Sequence, residues 1–300
     1  MSITPNTKPS TTTSSKATQS DSKHVVGLDG CRAGWIAQTL WLRPHLSGST
    51  TFEVSHTEWH LIQEQEDLLG VLQRCDQAWI DVPIGLASST DDDAPKRACD
   101  LAVREALGSK RSSIFTPPIR DVLEIASYHE AMQRQHELIG AKCSIQAWNL
   151  TPKIRQMDTL WEWIDDAEHR IHEAHPEWQF QCWVNGLRSP SKGDSQDHVN
   201  NLLAEHAHGK PSLSSKKTAE GRRQRLAILA SLGFDDASSF YEDCLSQTMR
   251  KDVQPDDIMD AMALAWGCYQ AMNGYGKILP EAGTPKDAKG RPMAIHYASP

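Results

Sequence analysis

Carboxylates stand where several apolar runs of the chain end or begin. Residues 25–28 read Val-Val-Gly-Leu, and Asp29 follows with Gly30 beside it. Ala78-Trp79-Ile80 leads into Asp81, and Asp256, Asp257 and Asp260 open the segment PDDIMDAMALAW. On a helix Asp257 and Asp260 stand i,i+3 and Asp256 and Asp260 i,i+4, so one face carries them. The residues after them are apolar on nearly every side, which buries this helix and draws Asp260 toward the core.

Gathering such groups is unfavourable. Two like charges ~4 Å apart repel by roughly 1 kcal/mol in water and ~4 kcal/mol at a protein-like effective dielectric. A proton, a basic side chain or a metal ion must offset that cost. An open, all-oxygen site suits Mg²⁺ or Mn²⁺ better than zinc. Two such ions ~3.5–4 Å apart can activate a water and stabilise the leaving oxygen of a phosphodiester. Asp29, Asp81, Asp257 and Asp260 are therefore candidate catalytic metal ligands. Plainer roles stay open: Asp256 and Asp257 as first-turn groups favoured by the helix dipole, and Asp81 as a turn former before Val82-Pro83.

The segment RIHEAHPEWQF holds a second cluster. Read as a strand over residues 169–174, it points Ile171, Glu173 and His175 one way and His172 the other. Glu173 becomes a further candidate ligand. His175 is a candidate to position a water, carry a proton or bind metal. A zinc hydrolase is disfavoured, because H-E-A-H lacks the helical H-E-x-x-H spacing.

Basic residues concentrate in two places on a chain of net charge −8. Residues 214–225 (SSKKTAEGRRQR) hold five basic and one acidic residue, and residues 95–120 hold six and two. Lys110, Arg111 and Ser112 in the second, with Lys216, Lys217 and Arg222 in the first, are candidate phosphate or nucleic-acid contacts. Lys216 and Lys217 have an alternative role, neutralising the carboxylates. The acidic balance excludes a chain coated in positive charge for non-specific nucleic-acid binding.

These residues need elements to place them. Short apolar or alternating runs at residues 25–28, 34–42 and 51–55, with brief connections, predict an antiparallel meander. An amphipathic helix is expected over 58–74, a buried strand over 78–80, helices over 94–107, 128–139 and 144–165, and a fifth strand over 169–174. Further helices are expected from Pro176, over 215–232 and over 255–272, with a loop at 109–120. The prediction is one α/β domain at 24–274, with a mixed five-stranded sheet of three antiparallel and two parallel strands flanked by helices, the RNase H-like arrangement. Residues 188–213 read as a polar surface insertion. Residues 1–23, rich in Ser and Thr, read as a disordered tail, and 275–300 as a loosely ordered one.

No run of eighteen apolar residues suggests a membrane span, and the N-terminus lacks the apolar stretch of a secretory signal. The seven cysteines are odd in number and include no C-x-x-C, which speaks against a disulfide framework or zinc ribbon. A cytoplasmic location with reduced, mostly buried thiols is the expectation. Most of the ten tryptophans fall in helix-like stretches, as core or boundary residues.

The ordered set GLDGCRAGW, IDVPIGL, RACDLAVREALGSKRSSIFTPP, SIQAWNLTPKI, HEAHPEWQF, SKKTAEGRRQR and DDIMDAMALAW, from about Val25 to about Met272, resembles the domain-of-unknown-function family numbered 429. Its members are usually described as predicted RNase H-like nucleases. The resemblance implies a Mg²⁺- or Mn²⁺-dependent nuclease-like site built from Asp29, Asp81, Glu173 and the Asp257/Asp260 pair, with nucleic acid as partner. Two other functions remain open: a nucleotide-binding phosphotransferase of the same fold, and a non-catalytic interaction module. Against the first, the sequence shows a single ordered strand set and no second phosphate loop. Against the second, the carboxylate set is complete.

Overall fold

The computed structural model describes residues 22–46, 49–187 and 213–299. The predicted N-terminal tail and the 188–213 insertion therefore lie almost wholly outside the described residues.

The β-branched and apolar N-terminal run forms β1 (Lys23–Cys31). A two-residue turn at Arg32-Ala33 leads into β2 (Gly34–Pro44), and β3 (Phe52–Ile62) returns along it. β4 (Gln77–Ile80) and β5 (Ile171–Glu173) join in parallel through helical crossovers. The sheet order is β3-β2-β1-β4-β5, with β1–β3 antiparallel and β1, β4 and β5 parallel. This is the mixed five-stranded α/β architecture expected from the sequence.

Apolar layers cover both faces. Val25, Leu40, Trp79, Phe180 and Trp183 pack under the long helix Pro255–Gln270. Val26, Leu28 and Ile80 pack on the other face against Leu68 of helix Gln65–Arg74 and Ile154 and Leu160 of helix Thr151–Trp161. All seven cysteines are free and buried, as small core residues. Among the described residues no helix is long and apolar enough to cross a membrane.

Three local expectations change. β1 does not stop at Leu28: Asp29 still pairs with Ile36 and Gly30 with Trp35. β3 takes residues 58–62, which the sequence assigned to the following helix, because pairing along all of β2 outweighs a local helical pattern. The segment beyond 275 is not loose. β6 (Gly276–Leu279) and β7 (Ile295–Ala298) form an antiparallel pair, and a bridge from Ala174 to His296 joins β7 to the β5 edge.

Ion pairs hold the intervening segment down. The buried Asp287 carboxylate accepts from the Leu86 N–H (3.1 Å) and Arg120 Nε (2.9 Å). Arg291 pairs with Asp158 and, at 2.5 Å, with Glu162; Lys289 reaches Asp158 at 2.7 Å. A Gly/Pro-rich composition hid these long-range partners.

Candidate metal centre

The site begins with a close approach of backbones. The Gly27 hydrogen that a side chain would replace points at helix Pro255–Gln270: a Cβ there would lie 2.2 Å from the Ala265 nitrogen and 2.3 Å from the Ala261 oxygen. Only glycine permits that contact, and alanines at the facing i,i+4 positions complete it. The contact sets Asp260, one residue before Ala261, beside Asp29, two residues after Gly27 on the same face of β1. Asp81 follows β4, and its N–H donates to Leu28 O at 3.1 Å, which fixes it next to β1.

Carboxylate oxygens of Asp29, Asp81 and Asp260 consequently lie within 4.8 Å of one another. Asp29 is 7% exposed and Asp260 3%. The Asp29 carboxylate accepts no hydrogen bond from any described residue, although it is nine-tenths buried. Burial, then the neighbouring Asp260 and Asp81 charges, push its pKa well above the ordinary range. Burial likewise raises Asp81 and Asp260 to about 6, opposed in both by Lys216. Asp257 stands one turn before Asp260, outside the close triad; its Oδ2 accepts the Gln254 N–H at 2.8 Å and caps the helix. Burial raises it, too, to about 6.

Glu173 is not brought to the triad. Its partner in the β4–β5 register is Ile80, so it points to the face opposite Trp79 and Asp29. There it accepts two bonds from Arg97, at 2.6 and 2.8 Å, and one from the Ile84 N–H at 2.9 Å. Arg97 is buried and also binds both oxygens of Asp100. Gly30, too, faces away from the triad, toward the aliphatic chain of Lys153.

His175 is at the triad's edge. Its Nδ1 accepts the Trp178 N–H at 3.3 Å, and burial first, then nearby Lys216, lower its pKa and keep the ring neutral. Lys216 donates to Asp260, and the surrounding carboxylates hold it protonated despite burial. Its placement depends on Gly221, where a Cβ would sit 2.0 Å from Ser215 O, and on the Thr218 side chain, which caps helix Ala219–Ser231.

The other basic candidates divide. Lys110 pairs with Glu177, which also accepts from Arg225 at 2.7 Å, so the 108–113 turn is pinned to the site wall. Arg222 donates to Lys217 O at 2.8 Å. Arg111, Ser112 and Lys217 are exposed. A cleft of about 210 Å³ opens beside the triad, lined by Asp81, Glu173, His175, Lys216, Ser113 and Phe115. Sequence reasoning missed Arg97, Asp100 and Glu177 in this wall; the Arg97–Asp100 i,i+3 spacing was the available signal.

The family model described as protein of unknown function (DUF429) matches residues 27–284. The chain belongs to this family. No curated protein and no solved structure matches it. The family match spans all three residues of the triad and ends before Asp287.

Proposed function

We propose that the protein is a divalent-metal-dependent nuclease that hydrolyses phosphodiester bonds at the Asp29/Asp81/Asp260 triad. One observation carries this reading: three carboxylates from β1, the end of β4 and the long helix converge within 4.8 Å, two of them more than nine-tenths buried, and one lysine is their close cationic partner. The donor set, all oxygen and open to a cleft, fits Mg²⁺ or Mn²⁺. When bound, such an ion supplies Lewis-acid activation of water and stabilisation of the leaving oxygen.

The chain's own residues account for the rest. Asp29, Asp81 and Asp260 would hold the ion, and Asp257 adds negative charge one helical turn away. His175, kept neutral with its Nδ1 engaged by the Trp178 N–H, forms part of the cleft wall beside the triad. Exposed Arg111, Ser112 and Lys217 are suited to contact phosphates along a strand. Glu173 is assigned to the wall, through Arg97, and not to the metal.

The test is a panel of single- and double-stranded DNA, RNA and hybrid substrates with Mg²⁺ or Mn²⁺, run against Asp29→Asn. Cleavage by the parent protein, lost on addition of EDTA and in the variant, is the expected result. Equal cleavage by Asp29→Asn would sink the assignment. Turnover of ATP without cleavage of any polymer would favour the phosphotransferase reading.

A further inference from the structure

The carboxylate inventory is short for two ions. Of the acidic groups at this end of the sheet, Glu173 is held by Arg97 on the opposite face, and one oxygen of Asp257, which stands outside the close group, caps the long helix through Gln254. Three carboxylates remain. Within the same group Lys216 donates to Asp260 and sits in the field of Asp29 and Asp81. It is not a floppy surface lysine: the Ser215–Gly221 backbone contact and the Thr218 cap fix the turn that carries it, and its side chain is about one-third exposed. Three negative charges and one fixed positive charge leave a net −2, which one divalent ion neutralises. A second ion would have to share a carboxylate with the first and would face the ammonium at close range.

We propose that the site holds a single divalent ion and that Lys216 supplies the second positive charge, taking the place of a second metal beside the phosphate. The proposal rests on the reading of the triad as a metal centre. Asp29, nine-tenths buried with no hydrogen bond from any described residue, is the ligand the ion would satisfy. Lys216 would both tune the ion, which it repels, and stabilise charge developing on the substrate.

Those two roles give opposite signs on mutation. Mn²⁺ titration by calorimetry, with the EPR spectrum of the loaded protein, is run on the parent chain, Lys216→Met and Lys216→Arg, with circular dichroism confirming the fold of each. The parent is expected to bind one Mn²⁺ with an uncoupled spectrum. Lys216→Met should also bind one, about tenfold more tightly, because a repelling charge is gone. It should nevertheless cleave more slowly, while Lys216→Arg, which keeps the positive charge, should bind Mn²⁺ with about the parent's affinity. Two ions per parent chain, or a spin-coupled pair, would overturn the proposal while leaving the metal centre intact. Unchanged or weaker Mn²⁺ binding by folded Lys216→Met would overturn it as well. No Mn²⁺ binding by the parent would remove the metal centre itself and the proposal with it.

Discussion

At the scale of single residues, the triad is a place where folding has set charge against burial. Asp81 and Asp260 reach about 6, and Asp29 is pushed well above the ordinary carboxylate range, chiefly because their ionised forms have lost water. The sign of the pH dependence follows. A carboxyl whose folded pKa lies above its unfolded value binds protons more tightly in the fold. The stability this gives is complete below the unfolded value of about 4 and is lost as pH rises through about 6. Asp81→Asn mimics the protonated state at all pH. In EDTA its melting temperature should match the parent's near pH 4 and exceed it above pH 6, by about 2–4 °C for each kcal/mol relieved. A difference that is constant with pH would show that Asp81 is not strained by ionisation. Saturating Mn²⁺ should reverse the order above pH 6, since only the parent retains the full ligand set.

At the scale of elements, the site depends on how closely a helix can lie on a strand. Gly27→Ala would place a methyl group inside the backbone of helix Pro255–Gln270. Overpacking of this kind costs about 1–3 kcal/mol. The expected consequence is weaker Mn²⁺ binding in calorimetry with every ligand unchanged, because Asp260 moves away from Asp29; unaltered affinity would contradict this. The sequence made much of this legible. Apolar runs that stop at Asp29 and Asp81, and a helix from Pro255 that is apolar on nearly every side around Asp260, were enough to place three carboxylates at one end of a sheet. Glu173 was misplaced for a physical reason: a one-residue difference in register reverses the face, and three residues of strand contain nothing that fixes it. The end of β3 was misread because Leu61 and Ile62 fit helical and strand spacing equally.

At the scale of the whole molecule, the C-terminal segment is part of the domain that carries the site. Asp287 and Arg291 close ion pairs with Arg120, Asp158 and Glu162, and His296 extends the β5 edge. None of this was visible in a stretch rich in Gly, Pro and Lys, because the partners lie more than a hundred residues away. Ending the chain at residue 275 would leave the partly buried Arg120 and the buried Asp158 short of their partners. Loss of one partner of a buried ion pair costs about 3–5 kcal/mol. The truncated chain should therefore melt about 10 °C lower, or fail to accumulate in soluble form. An unchanged melting temperature would show that the segment is dispensable.

The central claim is that Asp29, Asp81 and Asp260 form a centre for a hard divalent cation. Anomalous diffraction from crystals grown with Mn²⁺ tests it most directly. The account predicts an anomalous peak at ~2.0–2.3 Å from an oxygen of each of the three carboxylates, absent in Asp29→Asn. Absence of a peak at the triad in the parent crystals, or a peak ligated only by other residues, would contradict it.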